Sequence, residues 1–483
     1  MSGVRYDGRV RSKRAVGAVI LAACSACSSG APKGGDDGVT PDAPIHIDAA
    51  MIDTPVQGVW TSDPACTATA DSLYGMPAGG GPRGSVAGCA LGDKLDQAAA
   101  QSAMAADGAG SLTATTGARV VKLAYRTVRS DGTAAVTTAT AYLPLVPRAM
   151  PAPVVLIGRP TAGIADTCAP SKEEMPQRDL GLTFAARGFV TIMPDYAGLG
   201  NAGTHAYLDT HEAAIELFDG AKALQALVPG NVVGDPVAAV GYSQGGGIVL
   251  GAQALEHAIT GKRTLKAVAA VAPEWPISTR SFGYEDILRH PEGITALAGL
   301  SYPTVLVLRH YGFFTNRMGA EHGGDAFPES QRSSITGSIE GLCTVPLGGA
   351  LDGLQVHQSD LVDDAFRLQV LACIDGTPGC TGLGQTFHQW LTGDFVTADP
   401  SGARVMIAQG LADQVMPAAG EAACDVAKLR ADGVEPELCT DLFATHETVI
   451  HVLLADVEGW TEATVDGVAP PMCDSQLLPD CSR

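Results

Sequence analysis

The chain has 483 residues, 46% of them apolar, 17% charged and 5% aromatic, which is enough apolar material for a core and excludes global disorder. Its 31 Lys and Arg against 52 Asp and Glu leave a net charge of −21, and because a phosphate backbone demands a basic face, nucleic acid is excluded as a partner. No apolar run is long enough to span a bilayer, and the 12 cysteines point to an oxidising compartment.

Arg5, Arg9, Arg11, Lys13 and Arg14 face a single acid, Asp7, at the start of the chain, and the apolar run Ala15–Ala23 follows. A basic region, a short apolar region and small residues before a cut site make a secretory signal, here residues 1–23. Leu21-Ala22-Ala23-Cys24 resembles the bacterial lipobox, which implies that Cys24 is lipidated and becomes the new N-terminus. The competing reading is an ordinary signal cut nearby, with Cys24 incidental. Either way the protein is exported, as a cell-envelope lipoprotein at the outer membrane or cell surface or in secreted form, and any membrane contact runs through the N-terminal lipid. Residues 24–58 interleave Pro32, Pro41, Pro44 and Pro55 with Gly and Asp and read as a disordered acidic tether. As a coil such a segment spans roughly 30–35 Å, enough to lift a domain off a lipid surface.

From about Val59 the pattern changes to short strands and helices. Val120–Tyr125 and Ala134–Leu143 alternate as strands around the turn Ser130-Asp131-Gly132. Val154–Ile157 is a buried strand, Leu180–Arg187 a helix and Phe189–Met193 a strand. Thr210–Leu227 is a helix ended by Pro229-Gly230, Val237–Val240 a strand, Gly246–Ala258 a small-residue helix and Leu265–Val271 a strand. This alternation predicts parallel βαβ units led by antiparallel strands. Residues 274–400 break the rhythm. The strand Arg404–Ala408, a helix at about Ala418–Ala431 and the strand Leu438–Ala444 then restore it. The expected organisation is one α/β domain in two parts, 59–273 and 401–483, around an insertion at 274–400. Apolar stretches of that insertion, such as Tyr302–Leu308 and Phe387–Phe395, suit the lining of an apolar pocket at the sheet's catalytic edge.

The sharpest motif is Gly241-Tyr242-Ser243-Gln244-Gly245, between the strand Val237–Val240 and the helix opening at Gly246. A G-x-S-x-G in strand–turn–helix context is a nucleophile elbow: its glycines permit a strained turn that exposes the serine hydroxyl. A serine hydroxyl is a weak nucleophile and needs a base held by an acid, in the chain order Ser, acid, His. Asp413 follows directly on the strand Arg404–Ala408, which places it at the catalytic edge of a parallel sheet; Asp195 and Asp352 are weaker competitors. His446 follows the last strand, whereas His451 lies inside the next apolar helical stretch and reads as structural. His205, His211, His310 and His357 precede the acid and break the order.

With these motifs the chain resembles the secretory lipases, the lipase-A-like branch of the α/β-hydrolases. Pro160-Thr161-Ala162-Gly163 with Asp166-Thr167-Cys168-Ala169-Pro170-Ser171 is similar to that family's loop ending in Cys-Ala-Pro-Ser. Asp195–Gly200 with Gly203–Leu208, and His446 followed by Trp460, extend the likeness to about 71–473. The resemblance implies an α/β-hydrolase fold: a mainly parallel sheet flanked by helices, with a large, mostly helical cap insertion. It implies Ser243 as nucleophile, Asp413 as orienting acid and His446 as base. The backbone N–H of Gln244 would be one oxyanion donor. The second would come from the loop after Ile157. Where the family often has His-Gly-Thr this chain has Arg159-Pro160-Thr161; Pro160 has no N–H to give, which leaves Thr161 or Ala162, with Thr161 preferred.

The Gly-rich runs lack a P-loop Lys and the folded part has no C-x-x-C pair, so neither a metal nor a nucleotide cofactor is expected. Apart from Cys24 and Cys27, the cysteines allow up to five disulfides, with Cys373–Cys380 and Cys424–Cys439 as plausible local pairs. The expected function is cleavage of carboxylic ester bonds in small-molecule or lipid substrates by an acyl-enzyme route, as a lipase or esterase. A serine peptidase or acyltransferase on the same fold, or a non-catalytic surface-binding lipoprotein, are the alternatives.

Overall fold

A strand's backbone N–H and C=O groups are satisfied by a neighbouring strand, and the first three strands pair with one another. In the computed structural model, which describes residues 59–172, 180–292, 302–354, 360–418, 420–473 and 478–481, β1 (Val86–Leu95), β2 (Ala118–Val128) and β3 (Ala134–Pro144) form an antiparallel meander. The signal segment, Cys24 and the 24–58 tether lie outside the described residues, as does His357. From sequence, Val86–Leu95 reads as no element at all. Its alternation is poor and its register on β2 slips twice, between Val86 and Gly88 and between Leu91 and Lys94, so pairing rather than pattern makes it a strand. The helix α1 (Gln97–Ala106) follows, and the Asp96 side chain caps it by accepting from Ala99 N.

The chain then enters the βαβ rhythm: β4 (Ala152–Gly158), α2 (Leu180–Ala185), β5 (Val190–Pro194), α3 (Thr210–Leu227), β6 (Val233–Tyr242), α4 (Gln244–Thr260) and β7 (Ala267–Val271). These strands are short, almost wholly apolar runs because both of their faces are covered. Successive residues point to opposite faces. Val154, Leu156, Ala239 and Val268 pack under α3 and α4, while Val155, Ile157, Val240 and Met193 pack on the other side with α1 and α2.

Between β7 and β8 (Arg404–Gly410) the described residues of the insertion are helical: α5 (Tyr284–Arg289), α6 (Tyr302–Met318), α7 (Arg332–Gly341), α8 (Thr344–Asp352), α9 (Asp364–Ile374) and α10 (Gly382–Gly393). They share one apolar cluster around Phe314, Phe327, Phe366 and Phe387, which continues onto Ile164, Tyr207, Leu208 and Met416. Leu306, Leu308, Phe387 and Leu391 are buried in that cluster, so the stretches expected to line an apolar pocket are largely taken up by the insertion's own core. β8 pairs in parallel with β7, and the sheet continues across the interruption.

The chain closes with α11 (Ala422–Ala431), β9 (Glu437–Asp441) and α12 (His446–Asp466). The described residues form a nine-stranded sheet of order β1-β2-β3-β5-β4-β6-β7-β8-β9, parallel from β5 through β9. Five disulfides join Cys66 to Cys89, Cys168 to Cys343, Cys373 to Cys380, Cys424 to Cys481 and Cys439 to Cys473. The pair Cys424–Cys439 is therefore not formed. Cys439 sits on edge strand β9 beneath α12 and Cys424 on α11 across the sheet, so each takes its partner from the tail. Cys473 packs on the α12 side and Leu478 on the α11 side, so that tail passes from one face of the sheet to the other.

Candidate active site

The G-x-S-x-G turn works only without side chains at its glycines. A Cβ on Gly241 would stand 2.1 Å from the Gly245 carbonyl oxygen, and one on Gly245 would stand 2.0 Å from that of Gly158. With those atoms missing, α4 presses directly against the ends of β6 and β4. Ser243, between β6 and α4, is forced to φ 56°, ψ −121°, a conformation that L-residues rarely adopt. It is held there because its N–H donates to Val271 O at 2.9 Å and its carbonyl accepts from Glu274 N at 2.9 Å.

The structure brings Ser243, Asp413 and His446 together at the carboxyl ends of the parallel strands. His446 Nε2 lies 2.9 Å from Ser243 Oγ, and His446 Nδ1 lies 2.8 Å from Asp413 Oδ2. All three are buried. Asp413 follows β8, and its Oδ1 accepts from the N–H groups of Val415 and Met416 at 2.8 and 2.7 Å. Those bonds fix the carboxylate so that Oδ2 faces the imidazole. A carboxylate accepts only, so Nδ1 carries the proton and Nε2 is left to accept from the serine hydroxyl. His446 is the first residue of α12, just after the cap residue Thr445, whose N–H donates to Thr448 Oγ1 at 2.8 Å. The Tyr242 hydroxyl donates to His446 O at 2.7 Å and tethers this helix start to the elbow.

Gln244 opens α4, so its backbone N–H has no acceptor within the helix. Its side-chain Nε2 is 3.0 Å from His205 Nε2. Burial pushes His205 down to about 3, so the ring is neutral and accepts from the amide, with His205 itself stacked on Tyr196. Thr161 lies in the loop after β4. Its Oγ1 is 3.0 Å from Tyr207 Oη and donates to Glu274 Oε2 at 3.3 Å. On the other side the insertion grips the same loop: Thr344 Oγ1 donates to Thr161 O at 3.0 Å and Thr344 N to Ala162 O at 3.1 Å.

The rejected candidates have other partners. Asp195 is buried 3.7 Å from Arg159 and accepts from Thr138 Oγ1 at 2.7 Å and Ser171 N at 2.9 Å. Asp352 ends α8 and is exposed. His451 Nδ1 is 3.0 Å from Asp107 O, and His310 Nε2 is 3.0 Å from Tyr284 Oη inside the insertion. Asp209, His211 and Asp394 bring their ligand atoms within 4.8 Å of one another, a spacing a metal could use. Their atoms already have partners: His211 Nδ1 is 3.0 Å from Asp394 Oδ1, and Asp209 caps α3 by accepting from Glu212 N and takes Ser130 Oγ.

Three residues of the site were not anticipated: His205, Tyr207 and Glu274. The first two belong to the Gly203–Leu208 segment that carried part of the family likeness. Glu274 lies just past the end of β7, at the same sheet edge as Asp413, but from sequence it reads as the first residue of the insertion. Burial lifts its carboxyl from an ordinary 4.5 to about 7, against the hydrogen bonds from Tyr207 and Thr161 and the charge of Arg309.

No family model matches the sequence, and no curated protein does. Solved structures share its fold. A ligand-bound form of the rice cell wall degrading esterase LipA from Xanthomonas oryzae aligns with a TM-score of 0.57 at 18% identity, over 80% of this chain and 97% of that one. Candida antarctica lipase A in its closed state aligns with a TM-score of 0.58 at 16% identity, over 86% of this chain and 88% of that one. At such identities the likeness is one of architecture: the chain has the α/β-hydrolase fold.

Proposed function

We propose that the protein is a serine hydrolase that cleaves carboxylic esters, as a lipase or esterase. The observation that carries this reading is the chain of hydrogen bonds Ser243–His446–Asp413 at the carboxyl edge of the sheet, with Ser243 on a strained turn. Ser243 Oγ attacks the ester carbonyl carbon while its proton passes to His446 Nε2. The oxyanion accepts from the N–H of Gln244 and from that of Thr161. Collapse breaks the ester C–O bond, and the alcohol leaves with the proton from His446. Water then gives a proton to Nε2 and attacks the acyl carbon, and the acid departs as Ser243 recovers its proton. Asp413 stays ionised and stabilises the imidazolium that forms twice in the cycle.

The esterase and lipase that share the fold support an ester over a peptide or an acyl-transfer substrate. Residues 59–273 and 401–483 form the catalytic part in this reading, and 274–400 act as a cap over it. The grip of Thr344 on the 161–162 carbonyls and the shared apolar cluster support that role. The basic and apolar start, Cys24 and the disulfides support export with a lipid anchor. A fluorophosphonate should label the protein and not Ser243→Ala, and the protein should hydrolyse a p-nitrophenyl ester series. Labelling without ester turnover would shift the reading to peptide or acyl transfer, and no labelling at all to a binding module.

A further inference from the structure

We infer that Glu274 is a positioning residue that holds the oxyanion loop in register with the nucleophile elbow; this rests on the ester-hydrolase reading and assigns the site a working part outside Ser243, Asp413 and His446. Its main chain belongs to the elbow. Glu274 N donates to Ser243 O at 2.9 Å, and its own carbonyl stands 2.0 Å from where a Cβ on Gly247 would be, so the first turn of α4 rests on it. Its side chain belongs to the opposite wall. Oε1 and Oε2 accept from the Tyr207 hydroxyl at 2.8 and 2.9 Å, and Oε2 accepts from Thr161 Oγ1 at 3.3 Å. One residue thus binds the nucleophile's own carbonyl and the side chain of the loop residue that offers the second oxyanion donor.

That loop needs an outside anchor. Pro160 contributes no N–H, and the loop's carbonyls at Thr161 and Ala162 are held from the insertion side by Thr344. Glu274 and Tyr207 are its partners on the elbow side. Glu274 is only 1% exposed, so water cannot replace it as the acceptor. Oxyanion donors act only when they sit at hydrogen-bond distance from where the charge develops, and an error of about 1 Å can cost on the order of 100-fold in rate.

The groups facing the carboxyl are Tyr207 and Thr161 by hydrogen bond, the imidazole of His446 on α12, and Arg309 of α6 by charge. Ionised, Glu274 accepts from both hydroxyls at once. Protonated, it must turn one of those bonds around, and the grip on Thr161 loosens. With the carboxyl lifted to about 7, this change falls near neutrality.

The test compares wild type, Glu274→Ala, Glu274→Gln and Tyr207→Phe as full mature chains on a p-nitrophenyl ester, with kcat and KM resolved from pH 5 to 9 and urea midpoints measured alongside. Glu274→Ala is expected to lose roughly 10- to 100-fold in kcat with KM within about 3-fold. Glu274→Gln keeps the shape but, like the protonated acid, offers one acceptor and one donor; its kcat should lie above that of Glu274→Ala, at the level of the wild type's low-pH limb, and the Glu274-dependent step of the pH profile near 7 should be lost. Tyr207→Phe should lose kcat in the same sense but less. If Glu274→Ala does not fold, Glu274→Gln and Tyr207→Phe decide. A wild-type kcat in folded Glu274→Ala and Tyr207→Phe, or a Gln variant with an unchanged pH profile, overturns the inference. A wild type that neither turns over the ester nor takes a fluorophosphonate at Ser243 overturns the ester-hydrolase reading, and the inference with it.

Discussion

His446 Nε2 stands 2.9 Å from Ser243 Oγ although 203 residues separate the two in sequence. One partner is fixed by the elbow and the other by the first turn of α12, so neither depends on a long flexible side chain to find the other. Replacing Ser243 or His446 by Ala, or Asp413 by Asn, is expected to cut kcat by several orders of magnitude, because the three act as a unit. His451→Ala, five residues along the same helix and bonded to Asp107 O, should keep most of the activity. Steady-state kinetics on the folded variants check this, and a silent His446→Ala beside a dead His451→Ala would reverse the assignment of the base.

Gly245→Ala should prevent formation of the elbow. Its Cβ would meet the Gly158 carbonyl at 2.0 Å, and backbone on both sides leaves nothing soft to move. A loss of more than about 3 kcal/mol, or no soluble protein, is expected. Gly337→Ala, inside α7 with nothing within 4 Å of its added Cβ, should instead gain roughly 0.5–1 kcal/mol. Urea midpoints of the two variants measured together make the comparison.

Glu274 also leaves a mark on stability. Its carboxyl is lifted from 4.5 to about 7 in the folded chain, so between those values the folded state binds more protons than the unfolded one. Stability therefore falls as pH rises through that window. Against Glu274→Gln, which has no proton to lose, wild type should weaken by on the order of 2–4 kcal/mol from pH 4.5 to 7 and hold a constant difference above it. Paired urea titrations at pH 4.5, 6, 7 and 8 read the difference directly, and parallel curves would mean that the carboxyl titrates normally.

At the other end of the chain, metabolic labelling with a fatty-acid probe should mark the wild type and leave Cys24→Ala unmarked. Equal labelling of both would point to Cys27 instead, and no labelling of either to a conventional signal cut.

Much of this was legible before any coordinates because the signals are local. The elbow is written in five consecutive residues whose glycines let α4 press against β4 and β6, and Asp413 and His446 each come a few residues after a strand, β8 and β9. The βαβ strands announce themselves as apolar runs because both of their faces are covered. What escaped is what distance creates. Val86–Leu95 becomes a strand only because β2 lies beside it with an irregular register. Cys424 and Cys439 looked like neighbours across one turn, yet a sheet lies between their side chains and the tail supplies both partners. Glu274 works on Tyr207 and Thr161, 67 and 113 residues earlier, and no spacing rule connects them.

If the protein is the ester hydrolase proposed, the bond between Cys168 and Cys343 restricts how an ester reaches Ser243. Residues 274–400 leave the sheet after β7 and return at β8, and a segment joined at two neighbouring strands could swing about them like a door. Cys343, just before α8, is fastened to the loop after β4 as well, 175 residues back along the chain. A body pinned at three separated points has no hinge axis left. In the proposed cap role, an opening over Ser243 would come from parts of the insertion yielding one against another, with the stretch around Cys343 and Thr344 held to the 161–168 loop.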